Sequence, residues 1–272
     1  MSPVLLRGCA TVLLVSMACA LAAGLATWGP LTVSPHDHHY AAARGWASAA
    51  GVFQALACVP MAVAAAVGLR LMRRSAWPPS VARPWQAFMV LAGGLSVGSA
   101  IYHLLPNDGA YVLVHTVGAG AFVSLLLGFL AERVDSRCGS ARSLGSGLAV
   151  AACAGAYWAI GEWTQGRGDL RAVLFLQCLP VLLIPAGALS LPGTITTTSD
   201  WMWMLGLYVV ARAAAGFDQS VVTAVGWITG HSLMHLLLTG IVLRLAYRAT
   251  RSPATDATSA PTHLITSINT SA

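Results

Sequence analysis

The sequence predicts an all-α protein in which several helices cross a membrane. Of its 272 residues, 57% are hydrophobic and 9% are charged, whereas soluble domains carry about 25% charged residues. Apolar runs recur along the chain, and each is close to the roughly 20 residues that a helix needs to cross a bilayer. In lipid, only helices and closed barrels satisfy the hydrogen bonds of their own backbone. Runs of this length therefore predict a polytopic membrane helical bundle.

The first apolar run, residues 4–28, is long enough to cross the membrane. A cleaved signal peptide is the other interpretation, since alanine-rich sequence lies near residues 18–23. The apolar core is longer than that of a usual signal peptide, which favours an anchoring helix. Residues 1–28 are therefore interpreted as an N-terminal transmembrane helix or signal anchor.

Seven further runs follow, separated by polar or arginine-containing segments. Pro180 and Pro185 should kink the sixth run of the chain, and the sequence 106–109, Pro-Asn-Asp-Gly, predicts a tight turn after the third. The Ser/Thr/Pro/Ala-rich residues 250–272 predict a disordered tail. Residues 29–249 then form one membrane domain with these spans: 46–71, 85–105, 110–131, 144–163, 172–191, 201–216 and 218–246.

The distribution of arginines predicts the orientation of the bundle. Only Arg44, Arg167 and Arg171 lie in the loops of one side. The other side receives most of the remaining arginines: Arg7, Arg70, Arg73, Arg74, Arg83, Arg133, Arg137, Arg142, Arg244, Arg248 and Arg251. Short basic loops face the cytoplasm, so this second side is predicted to be cytoplasmic. The net charge of +6 thus reflects membrane topology, and no nucleic-acid partner is expected.

Histidines gather at the opposite, non-cytoplasmic end of the predicted bundle. His231 and His235 are four residues apart in the last span, and at that spacing two side chains share one helix face. His103 ends the third span, and His115 lies in the outer third of the fourth. A polar pair at membrane depth indicates a functional site, although two histidines can also serve as helix-contact residues. Seven of the eight histidines lie at this end: His36, His38, His39, His103, His115, His231 and His235.

Ser99 lies four residues before His103 and so on the same helix face. Three imidazoles with an open fourth position are typical of catalytic zinc, which lowers the pKa of a bound water to about 7. Ser99 could orient that water or the oxyanion that its attack creates. The predicted metal ligands are therefore His103, His231 and His235. The six cysteines form no CxxC pair and are interpreted as small apolar residues.

In these segments the chain resembles the alkaline ceramidases and, more closely, their bacterial ceramidase-domain relatives. These proteins belong to a superfamily of seven-helix membrane hydrolases that includes the adiponectin and progestin receptors. The resemblance covers roughly residues 36–247. Its segments are Ser99-xxx-His103, Tyr102-His103-Leu104-Leu105-Pro106, Gly168-Asp169-Leu170-Arg171, residues 179–185, residues 203–208 and the block 229–235, Thr-Gly-His-Ser-Leu-Met-His.

The resemblance implies a seven-helix ceramidase-like core with one extra N-terminal helix, in the plasma membrane of a bacterium. It also implies hydrolysis of the amide of a ceramide-like membrane lipid to a sphingoid base and a fatty acid. In that family the three histidines bind zinc, while the serine and a nearby aspartate handle the water.

The sequence departs from the family pattern in two places. Val114 stands where the family aspartate is expected, which leaves His115 or Asp108 as the candidate catalytic base. Asp108 can equally be a turn residue, and His115 can be a core histidine. The N-terminal loop offers only Asp37 among histidines, whereas calcium requires six to eight oxygen ligands, so no calcium site is expected.

Three classes of function remain open on the sequence. The first is the zinc-dependent amide hydrolase, and the second is a catalytically impaired, metal- and lipid-binding scaffold or receptor-like protein, which Val114 favours. The third is a metal or proton transporter, which the apolar inner halves of the spans disfavour. Three intramembrane charged residues, Glu162, Arg212 and Asp218, are expected to have structural roles. Arg212 and Asp218 could each pair across helices, or Asp218 could cap the last helix.

Overall fold

A computed structural model describes residues 3–32, 49–225 and 228–251. All regular secondary structure in this part of the chain is helical, which confirms the predicted all-α fold. The loop histidines His36, His38 and His39, together with Asp37 and the tail from residue 252, lie outside the described residues. The helices are α1 Pro3–Trp28, α2 Ala49–Arg74, α3 Pro79–Leu104, α4 Asp108–Arg133, α5 Ala141–Gln165, α6 Arg171–Ser190, α7 Thr198–Gly216, α8 Asp218–Val225 and α9 Gly230–Thr250, with a 3₁₀ turn at Ser136–Gly139.

Seven of the described helices are long and apolar enough to cross a membrane, namely α1 to α6 and α9. The protein is therefore an integral, multi-pass membrane protein. Helix α7, which corresponds to the predicted span 201–216, is not among these seven. It has 19 residues and carries Asp200 in its first turn and Arg212 in its second half.

The predicted continuous span 218–246 was wrong, because two helices occupy this stretch. The short α8 covers Asp218–Val225, and α9 begins only at Gly230. Thr229 caps α9, with its hydroxyl accepting a hydrogen bond from the Ser232 amide. The carboxylate of Asp218 accepts a second one from the His231 amide, 2.7 Å away. Both bonds satisfy amides that the first turn of a helix leaves without partners, so the chain restarts its helix directly before the two histidines.

Six helices pack side by side in a closed ring, in the order α2, α3, α4, α6, α7 and α9, and α9 returns to α2. Helix α5 packs outside this ring against α4 and α6, and α1 packs against α6. The arrangement agrees with the predicted seven-helix core and extra N-terminal helix. The loop after α3 is short, as predicted, and Asn107 caps α4 by accepting a hydrogen bond from the Ala110 amide.

Ion pairs fix α7 and α9 together at the end of the bundle away from the histidines. The buried carboxylate of Asp200 lies between Arg244 and Arg248 of α9, at 2.5 Å from a nitrogen of each. At the same end, the buried Arg133 donates hydrogen bonds to the carbonyls of Leu191 and Thr196 in the loop before α7. The polar residues of this end therefore hold α9 in register with its neighbours.

Candidate metal centre

Three histidines from two distant segments meet at one end of the ring of helices. This end, marked by His103, His231 and His235, is the histidine end of the bundle. His103 lies in the last turn of α3, and His231 and His235 lie in the first two turns of α9. The Nε2 atoms of His103 and His235 are 3.2 Å apart. The ring centroid of His231 lies 4.9 Å from that of His103 and 5.0 Å from that of His235. The predicted convergence of the three imidazoles is therefore present.

The separation of the two Nε2 atoms suits a shared metal ion. Two nitrogen ligands at about 2.1 Å from a tetrahedral zinc ion lie about 3.4 Å from each other. Without an ion, the same separation allows one imidazole to donate a hydrogen bond to the other. The Nδ1 atom of His235 is buried and has no hydrogen-bond partner among the described residues. Buried polar atoms normally have a partner, so this second nitrogen is also available for a ligand.

Cys58 of α2 completes the group and was missed by the sequence analysis. Donor atoms of Cys58, His103 and His235 all lie within 4.8 Å of one another, and all three residues are buried. Thiolate and imidazole are the preferred ligands of zinc, so this group can hold a metal ion. The interpretation of Cys58 as only an apolar packing residue was therefore incomplete. A single cysteine in the middle of a helix has no spacing signal that could have revealed it.

His231, the third predicted ligand, is half-buried and lies beside this group but is not one of its three members. Its ring is in edge contact with both other imidazoles, so it lies in the immediate surroundings of any ion that His103 and His235 share. The role of His231 as a ligand stays a prediction.

Hydrogen bonds join the helices that carry the group. The Gln54 amide, one turn before Cys58 on α2, donates to the hydroxyl of Thr229, the N-cap of α9, at 3.2 Å. The Ser96 hydroxyl of α3 donates to the carbonyl of Cys58 at 2.5 Å. At Gly230 a side chain would collide with the carbonyl of Ala214. Glycine therefore allows α9 to start close against α7, which places the first turn of α9 and its histidines at the centre of the bundle.

The candidate catalytic residues differ in where the structure places them. Ser99 is buried and lines the same cavity as the three histidines. His115 lines it too, with its ring 4.3 Å from that of Tyr111 and 6.4 Å from that of Trp158. Asp108 lies exposed in the first turn of α4 and is not among the residues that line the cavity. The geometry therefore favours His115 over Asp108.

Val114 also lines the cavity. A side chain at Gly98, the residue before Ser99, would lie 3.4 Å from its Cγ2 atom, so Val114 faces α3 near the candidate serine. The position at which the sequence comparison expected an aspartate thus lines the cavity, but it carries an apolar side chain.

The cavity itself measures about 310 Å³ and extends from the histidine end into the interior of the bundle. On α9 its lining runs from His231 to Val242, a distance of about 16 Å along the helix. Most of the wall is apolar and includes Pro180 and Pro185 of α6, a helix that is unbroken from Arg171 to Ser190. The five residues that α7 contributes have the spacing of a single helix face: Trp201, Met204, Leu205, Tyr208 and Arg212.

The three charged residues singled out in the sequence have different environments. Asp218 caps α9, as expected. Glu162 accepts a hydrogen bond from the Gly168 amide at 2.7 Å and so stabilises the loop between α5 and α6. Arg212 differs from both, because it lines the cavity.

Comparisons with known proteins add no assignment to this geometry. No protein-family model matches the chain, and neither a curated protein nor a solved structure matches it.

Proposed function

We propose that the protein is a metal-dependent hydrolase that cleaves the amide bond of a ceramide-like membrane lipid. The observation that carries this proposal is the buried group of Cys58, His103 and His235, whose two histidines line one end of an apolar cavity inside a membrane-spanning bundle. An acyl chain fits an apolar wall, and the polar end of the cavity then receives the amide. Apolar pockets with a few convergent polar groups are the usual form of such sites.

The donor set suits zinc, the metal that the family resemblance implies. Imidazole and thiolate are both zinc ligands, and a bound zinc ion would polarise the amide carbonyl and lower the pKa of a water molecule to about 7. His103 and His235 would hold the ion, with His231 or Cys58 as a further ligand. Water then adds to the amide carbonyl, and loss of the amine yields a fatty acid and a sphingoid base.

Two residues of the cavity wall would assist the reaction. The Ser99 hydroxyl, one turn before His103, would donate a hydrogen bond to the oxyanion. His115 is the nearest candidate base, because it lines the cavity and no carboxylate of the described residues does. It would take a proton from the attacking water and return it to the departing amine.

Sidedness and source belong to the same proposal. The arginine distribution supports a non-cytoplasmic position of the histidine end, and the family resemblance supports a bacterial plasma membrane. A lipid could then enter the cavity laterally from the outer half of the bilayer.

The test is release of fatty acid from a labelled ceramide by purified protein in lipid nanodiscs. Activity is expected in the unaltered protein and should be lost in His103→Ala and Ser99→Ala. Ser124→Ala is the matched control, because this buried serine of α4 does not line the cavity and its hydroxyl has no partner among the described residues. Activity that survives Ser99→Ala unchanged would remove Ser99 from the mechanism, and activity that survives His103→Ala would refute the proposal.

A catalytically impaired lipid- and metal-binding protein is the second candidate. Val114 favours it specifically, since an apolar side chain lines the cavity where a base is expected, and loss of a general base typically costs 10²–10⁴-fold in rate. This candidate predicts bound metal and bound ceramide with no release of fatty acid in the same assay.

A further inference from the structure

Arg212 is a cation in the cavity wall that no carboxylate of the described residues neutralises. The ion pairs found in this part of the chain join other arginines to Asp135, Asp169 and Asp200. Within the same residues, the only hydrogen-bond contact of Arg212 is from its Nη1 atom to the Met234 sulfur, 3.9 Å away. A thioether is a weak acceptor, so the guanidinium keeps almost its full capacity to bind an anion.

The position of Arg212 relates this charge to the histidine end. It lies one turn beyond Tyr208 on the face of α7 that lines the cavity. Its contact residue, Met234, directly precedes His235 on α9 and also lines the cavity. A lipid whose acyl chain fills the apolar part and whose amide lies at the histidines would therefore have its polar head beside the guanidinium.

Arg212 is exposed and lines the cavity, so its guanidinium is accessible to a ligand there. The planar guanidinium matches a carboxylate with two parallel hydrogen bonds. We infer that Arg212 binds the carboxylate of an acyl lipid in the cavity, which makes the preferred ligand an anionic acyl lipid. The carboxylate comes either from the head group of an intact N-acyl amino acid or from a fatty acid that hydrolysis has released.

This inference goes beyond the proposed function, because a ceramide carries no carboxylate, and it rests on that function only in taking an acyl lipid as the occupant of the cavity. Binding of the carboxylate requires neither a metal ion nor hydrolysis. The two proposals can therefore fail separately.

The test compares acids with their neutral esters on the full-length protein in nanodiscs of uncharged lipid. Isothermal titration calorimetry with N-palmitoylglycine, palmitic acid and the methyl ester of each gives four dissociation constants. Each acid is expected to bind at least about tenfold more tightly than its ester, the effect of one hydrogen bond to a charged group. A preference for N-palmitoylglycine over palmitic acid would identify the head group as the source of the carboxylate, and the reverse order would identify the fatty acid.

Three variants test whether Arg212 causes the tighter binding of acids than of esters. Arg212→Gln and Arg212→Met should abolish the preference for acids while ester binding persists. Arg167→Gln is the matched control, because it removes the same charge from an exposed loop at the histidine end without touching the cavity wall. It should leave the preference unchanged.

Three results would overturn the inference. These are equal binding of acids and esters by the unaltered protein, a preference that persists in an uncharged variant, and a preference that Arg167→Gln removes equally. An Arg212 variant that still binds the esters is folded. The ratio of its dissociation constants for acid and ester then decides the test. A protein that releases no fatty acid from ceramide but prefers acids through Arg212 leaves the inference intact and refutes only the hydrolase.

Discussion

The Nε2 atoms of His103 and His235 lie 3.2 Å apart, although 132 residues separate them in the chain. One imidazole comes from the last turn of α3 and the other from the second turn of α9, and Cys58 reaches the same point from α2. Three helices of the ring thus contribute one donor each. The centre exists only in the folded bundle, so it reports directly on how these helices pack.

Metal content is the first prediction. His103→Ala and His235→Ala should each reduce the bound metal of the purified protein from about one equivalent to a small fraction, because each removes one of few ligands. Inductively coupled plasma mass spectrometry measures the loss. His115→Ala, which changes the cavity wall but not the donor group, should keep its metal. Equal metal in all three variants would mean that the ion lies elsewhere.

The absorption spectrum of the metal centre should show whether the Cys58 thiolate is a ligand. In protein substituted with Co²⁺, a thiolate ligand produces an intense sulfur-to-metal charge-transfer band in the near ultraviolet. Cys58→Ser should remove this band, while the weaker visible bands of a tetrahedral Co²⁺ site remain. A matched Cys178→Ser variant changes a cysteine outside the donor group and should leave the spectrum unaltered. If the unaltered protein shows no charge-transfer band, the ligands are histidines alone.

Restoring the expected carboxylate tests the mechanism. Val114 faces the cavity beside Ser99, so Val114→Asp should supply a general base there. The rate of fatty acid release should rise by about 10²–10⁴-fold if the base is what the site lacks. Val114→Asn, of equal size but without a basic carboxylate, should not raise the rate. A folded, metal-loaded Val114→Asp protein that is no faster would show that His115 or another group already fills this role.

Stability depends on the ion pairs between α7 and α9. Asp200 has a fully buried side chain and contacts both Arg244 and Arg248, so Asp200→Asn should lower the free energy of unfolding by about 3–5 kcal/mol. Asp135→Asn breaks the pair with Arg137, whose side chain is 90% exposed, and should lower the free energy of unfolding far less, because solvent screens an exposed pair. Thermal unfolding in detergent compares the two. Equal losses of unfolding free energy in the two variants would mean that the buried ion pairs of Asp200 stabilise the protein no more than the exposed pair does.

The sequence predicted those parts of the fold and site that depend on local patterns. Long apolar runs located the seven membrane-length helices, because a span needs only length and apolarity. The four-residue spacing located His231 and His235 on one face of α9, since that spacing is a property of the helix alone.

The remaining features arise from contacts between helices, which leave no local signal. Cys58 joins the histidines because α2 packs between α3 and α9, and its sequence neighbours carry no trace of that contact. The break before α9 was missed because residues 218–246 are apolar enough to read as one run. The hydrogen bonds from Asp218 and Thr229 cap the first turn of α9, and they too join residues that no local pattern connects.

The proposed hydrolase depends above all on one metal ion between His103 and His235. An anomalous difference map from crystals of the purified protein, collected at the zinc absorption edge, tests for this ion most directly. One strong peak is expected about 2.1 Å from an imidazole nitrogen of each histidine. No peak at the histidine end, with the two Nε2 atoms still in hydrogen-bond contact, would contradict the metal centre and the hydrolase proposed from it.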